Sequence, residues 1–96
     1  MYCKVHETPN GRVIGCCDSE LLGKSLTHGN YDVTISESFY KGELVDEKKL
    51  ADLMLGANSI NLFGKKTSKV AIEQGFLREA DIIRIAGVEH AMIFKV

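Results

Sequence analysis

Residues 59–75 read SINLFGKKTSKVAIEQG, and the fold turns on the change from strand to helix inside this stretch. SINLF is a short strand candidate with Ile60 and Leu62 on its inner face. Gly64, Lys65, Lys66 and Thr67 then lead into a helix, capped by Thr67 or Ser68 and stopped near Gly75. Just upstream, Leu50, Leu53, Met54 and Ala57 fall at i, i+3, i+4 and i+7 behind the N-cap residue Asp46. That is a second helix with one apolar stripe, ended by Gly56 and Asn58.

Working outward, residues 2–7 alternate in character, with Cys3 and Val5 on one side and Lys4 and His6 on the other. The dense turn signal Thr8-Pro9-Asn10-Gly11 joins them to a second strand, residues 12–17, as an antiparallel hairpin. Asp18 or Ser19 caps a single helical turn through Leu22, and Gly23 suits a left-handed stop. Tyr31, Val33 and Ile35 mark a half-buried strand, and SFYKGELVD after it reads as a packed bend. The last third gives two strands, residues 82–86 and 90–96, joined by Gly87-Val88-Glu89. The expected fold is one α+β domain over residues 1–96, a two-layer sandwich with two main helices on a mostly antiparallel sheet. Only the strand–helix–strand–helix–strand middle offers parallel pairing, so the sheet is mixed at most.

The chain has 96 residues, 45% apolar and 26% charged, the balance of a soluble globular domain rather than a disordered tail or fibre. Its apolar runs are too short to span a bilayer, and MYCKVHETPNG lacks the basic start and apolar core of a signal peptide. A cytoplasmic, unprocessed chain with no membrane partner is expected. A formal net charge of −1 argues against a strongly basic nucleic-acid binder. The distribution says more: residues 1–47 carry four basic and eight acidic side chains, residues 48–96 eight and five. Lys65, Lys66 and Lys69 sit in the acid-free interval between Asp52 and Glu73, a local basic patch.

Cys3, Cys16 and Cys17 are an odd, clustered set without the paired spacing of a structural zinc site. Adjacent strand residues point to opposite faces, so Cys16 and Cys17 do not readily share an ion. In a hairpin Cys3 approaches one of them, and buried free thiols are the expected state. No metal or cofactor is implied. Nor does DSELLGKS, residues 18–25, make a phosphate-binding loop. The place of that loop's first glycine is held by the carboxylate Asp18.

The best candidate surface is NLFGKKTS, residues 61–68. Gly64 lets the backbone approach a ligand, and the helix start offers unpaired N–H groups at a positive dipole end. Lys65 and Lys66 add charge, Thr67 and Ser68 add hydroxyls, and Asn61 points outward if Ile60 and Leu62 point in. The same residues also suit an ordinary strand-to-helix turn. Tyr40, followed by Lys41, is the aromatic residue most suited to a base. The three histidines and the acidic residues carry no recognisable catalytic spacing, and no catalytic residue is assigned.

CDSELLGK, FYKGE, NLFGKK and IAGVEHA, in that order, resemble the archaeal family known as domain of unknown function 424. The resemblance spans nearly the whole chain. It implies an archaeal source, a two-layer α/β sandwich and a link to RNA or translation. The matching positions are Leu22, Gly23, Lys24, Phe39, Tyr40, Gly42, Glu43, Asn61, Gly64, Gly87, His90 and Ala91, and the resemblance gives none of them a catalytic role. The double cysteine lies outside the pattern. The expected binding set is therefore Lys24, Tyr40, Asn61, Gly64, Lys65, Lys66 and His90, taking RNA or a ribonucleoprotein. One alternative is a small-molecule enzyme or ligand-binding protein using His90, Glu43 and a cysteine. Another is an assembly subunit, a weak homodimer, pairing through residues 90–96.

Overall fold

The structure, a computed structural model, describes residues 1–95. Pro9 and Asn10 turn β1 (Tyr2–Thr8) onto β2 (Gly11–Cys17) in the expected antiparallel hairpin. A 3₁₀ turn at Ser19–Leu21 leads to a small separate hairpin, β3 (Ser25–His28) and β4 (Tyr31–Thr34). A one-turn helix α1 (Glu37–Tyr40) and the two-residue β5 (Glu43–Leu44) follow. Next come α2 (Glu47–Leu55), β6 (Ser59–Phe63) and α3 (Lys65–Glu73). After a 3₁₀ turn at Glu79–Asp81, β7 (Ile83–Ile85) and β8 (Val88–Phe94) close the fold. Val96, part of the expected last strand, lies outside the described residues.

Six strands form one sheet in the order β5-β1-β2-β6-β8-β7, and β2–β6 is its parallel pair. The result is the expected α+β architecture with a mixed sheet. The parallel partner of β6 is β2, however, and not the Tyr31–Thr34 strand, which pairs with β3 in the separate hairpin. The crossover between β2 and β6 carries β3, β4, α1, β5 and α2.

Ile14, Cys16, Ile60, Leu62, Ala91 and Ile93 share the sheet face that buries the apolar stripes of α2 and α3. Leu50, Met54 and Ala57 of the α2 stripe are buried, and the Asp46 carboxylate accepts from the Lys49 amide as a true N-cap. At the other end of α2, the Lys95 ammonium donates to the carbonyls of Met54 and Leu55 and lies over the Phe76 ring. A cation at a helix C-terminus meets the negative end of its dipole.

The opposite sheet face holds a second core of Cys17, Leu21, Leu26, Ile35, Tyr40 and Phe63. The β3–β4 hairpin and α1 cover that part as a small outer layer. Gly15 admits this layer, since a Cβ there would lie 2.6 Å from the Phe39 ring. Sequence patterning misses β3 and β5 because each is too short to show a period: β3 buries the single residue Leu26, and both residues of β5 are exposed. The turn between β7 and β8 is Ala86–Gly87, both with positive φ, rather than Gly87-Val88-Glu89. That two-residue geometry follows the twist of the strands it joins.

Candidate functional site

The NLFGKK corner is built by two chain segments. Asp18 follows β2, and its N–H donates to the Phe63 carbonyl at 3.0 Å, extending the β2–β6 ladder by one bond. Its carboxylate then accepts from the amides of Thr67 (2.9 Å) and Lys66 (3.0 Å) at the start of α3. Gly64 makes the approach feasible: its φ of 117° suits glycine, and a Cβ there would collide with the Asp18 carboxyl. Asp18 is 3% exposed, and a buried carboxylate this close to a helix start is held by amide donors and the dipole.

This arrangement corrects the expectation of uncovered amides at Gly64. The donors meant for an incoming phosphate already hold an internal anion. Thr67 and Ser68 are not the caps of α3 either. The Thr67 hydroxyl donates to the carbonyls of Phe63 and Gly64, and the Ser68 hydroxyl to Gly64. Asp18 makes no side-chain cap for its own 3₁₀ turn.

The other expected site residues divide between the faces of the sheet. Lys65 lines a groove of about 340 Å³ on the helical side with Lys69, Glu73, Glu79, Arg84 and Glu89. Its lysines therefore face carboxylates as well as solvent. Lys66 is exposed beside it, and Lys24 is exposed on the outer layer. Tyr40 is 7% exposed, wedged edge-on between Phe39 and Phe63 instead of facing a ligand. Burial pushes its hydroxyl well above the ordinary tyrosine range. Glu43 lies on β5, with β1, β2 and β6 between it and His90 on β8, so these two do not converge. Among the described residues no group of three His, Cys, Asp or Glu side chains could hold a metal ion.

Asn61 and His90 do meet on the outer face. The register pairs Asn61 with Met92 and Phe63 with His90, two residues along on the same strands. The His90 ring stacks on Phe63 with centroids 4.2 Å apart, and its Nδ1–H donates to the Leu62 carbonyl at 2.9 Å. In the neutral ring that bond leaves Nε2 as an acceptor. Burial holds the His90 pKa below its ordinary value, partly offset by the Leu62 bond. At the far side of the row His6 stacks on Phe39 and donates from Nε2 to the Phe39 carbonyl.

Beyond this row the outer layer stops. Val13, Ser59 and Asn61 are half-buried there, while Met92 and Phe94 are 59% and 71% exposed. Among the described residues the Asn61 side chain has no hydrogen-bond partner. Met92 and Phe94 escape sequence reading because Ala91 and Ile93, which alternate with them, are also apolar. The strand has no polar side by which to orient it.

A family described as "Protein of unknown function (DUF424)" matches residues 6–96. The chain belongs to the DUF424 family. A crystal structure of an uncharacterized conserved protein from Methanopyrus kandleri is similar to it, with 27% sequence identity and a TM-score of 0.83. The alignment covers 99% of this chain and 92% of that one. Among curated proteins none matches. Within this DUF424 chain, the motif residues Phe39, Tyr40 and Gly64 serve packing, and Asn61 and His90 are the two that share one open region.

Replacing Asp18 with Ala strands two amides and leaves the α3 dipole uncompensated. A loss of about 2–3 kcal/mol is expected in urea unfolding, without loss of the folded spectrum. His90 gives a pH signature. Its folded pKa lies below the unfolded one, so the unfolded chain binds more protons as pH falls below about 6.5. Stability should drop on acidification through that window, and His90→Gln should flatten the slope.

Proposed function

We propose that this protein is a binding module for single-stranded RNA, with the open half of its outer sheet face as the platform. The observation that carries the reading is Asn61: a reachable side-chain amide without an internal partner, set in a strand face beside exposed Met92 and Phe94. Such a face gives a base what it needs. Phe94 supplies a ring to stack on, Met92 a polarisable apolar floor, and Asn61 a donor and an acceptor for a base edge. The Nε2 atom of His90 adds an acceptor at the rim. Lys24 and Lys41, exposed on the outer layer, are the cations available for phosphate.

A second reading, an assembly subunit, is favoured by the edge of β8. The Glu89 carbonyl accepts from Gly64 and the Lys95 N–H donates to Asn58, so odd-numbered residues bond toward β6. Even-numbered residues face outward, and β7 pairs only Val88–His90. Among the described residues, the main chains of Met92 and Phe94 have no strand opposite them. Met92, Ile93 and Phe94 themselves place neither a charge nor a proline on that edge.

Fluorescence anisotropy with labelled oligouridine and oligoadenylate at low salt tests the first reading. Binding should appear, weaken as salt rises, and fall about fivefold or more in Asn61→Ala or Phe94→Ala. Lys65→Glu with Lys66→Glu should change it little, because Lys65 faces the helical side. Absence of binding, or unaltered binding in the Asn61 and Phe94 variants, contradicts the reading. For the second, light scattering at micromolar concentration should give a dimer that Met92→Lys with Phe94→Lys dissolves; a monomeric parent removes it.

A further inference from the structure

Cys3 and Cys16 face each other across the β1–β2 ladder, and their place in it decides what they can do. The two-residue turn at Pro9–Asn10 makes Thr8 and Gly11 a hydrogen-bonded closing pair, after which bonded and non-bonded pairs alternate. Counting from there, Cys3–Cys16 is a non-hydrogen-bonded pair. The Asn58 amide confirms the parity: it donates to the Arg12 carbonyl, so the even-numbered residues of β2 bond toward β6 and away from β1. Cα atoms of non-bonded pairs are about 4.5 Å apart, within the range that disulfides span.

The side chains agree with the backbone. Both thiols are free and buried, and their sulfurs lie 3.4 Å apart, with Cys16 donating to Cys3. That bond lowers the pKa of Cys3 and raises that of Cys16, which burial raises further. Cys3 is thus the better nucleophile of the pair. Cys17 points into the outer core, on the other side of the sheet, where burial lifts its thiol to about 11.

The geometry points to Cys3 and Cys16 as a reversible redox pair that closes into a cross-strand disulfide by exchange with a low-molecular-weight disulfide. Access is through the sheet edge. Cys3 is bounded outside β1 by the two-residue β5, whose Leu44 is exposed, so separation of β5 uncovers it. The Cys3 thiolate attacks one sulfur of the reagent, and the first small thiolate leaves and takes up a proton. Cys16 then gives up its proton and attacks the Cys3 sulfur, releasing the second small thiol. The protein loses two electrons and two protons, and one reagent disulfide becomes two thiols.

Closure ties β1 to β2 at the end where β1 also holds the outer layer. Lys4 donates to the Ser38 carbonyl and His6 to that of Phe39, both in α1. The oxidised form therefore fixes the strand on which α1 rests.

The test is incubation of the folded full-length chain in glutathione buffers of graded redox ratio, with alkylation, intact mass and peptide mapping. An intramolecular Cys3–Cys16 link should form, reverse in reduced glutathione, and raise the melting temperature by about 10 °C. Cys17→Ser should behave as the parent, and Cys16→Ser should lose both the link and the shift. Mapping of the parent chain alone decides the matter if Cys16→Ser does not fold. Thiols that all stay reduced, a link through Cys17, glutathione adducts alone, or a link without thermal shift would each overturn the proposal.

Discussion

One carboxylate joins the halves of this molecule. Asp18 leaves the end of β2, adds a rung to the parallel β2–β6 pairing, and grips the first amides of α3. Parallel strands have no tight turn to fix their register, so something else must. Here the ladder bond and the two amide bonds come from consecutive groups of one residue. Gly64 leaves room for the carboxyl, and the buried hydroxyls of Thr67 and Ser68 bond carbonyls beside it, so the corner is satisfied from within. It is a structural joint in the place where an anion site would otherwise sit.

That joint reassigns the work of the two sheet faces. The helical face is closed by α2 and α3, and the charges around its groove alternate in sign. The outer face is asymmetric: α1 and the β3–β4 hairpin cover one half, sealed by a row of rings from His6 to His90. The other half is left to solvent with Asn61, Met92 and Phe94 upon it. A sheet face without its own cover exposes apolar area that a partner can bury, and this is why the functional reading moves from the helix start to the strands.

What was legible in the sequence follows from how local each determinant is. Asp46 and the stripe at Leu50, Met54 and Ala57 announce α2 because cap and stripe lie within a few residues. The inward pair Ile60 and Leu62 correctly predicts that Asn61 turns outward. The Asp18 joint left no such trace, since its partner Lys66 is 48 residues away and each residue has a sound local role of its own. Lys95 at the end of α2 was hidden for the same reason, 41 residues from Met54. The open platform was illegible for a different reason: β8 is apolar on both sides, so periodicity could not say which side is buried.

Amide hydrogen exchange of Lys66 and Thr67, read by NMR on the folded chain, tests the joint most directly. First-turn amides of a helix ordinarily lack an intrahelical partner and exchange readily. If Asp18 holds them, both should be protected to the level of the β6 core, and both should become fast in Asp18→Ala while β6 stays protected. Rapid exchange at these two amides in the unaltered protein would contradict the account.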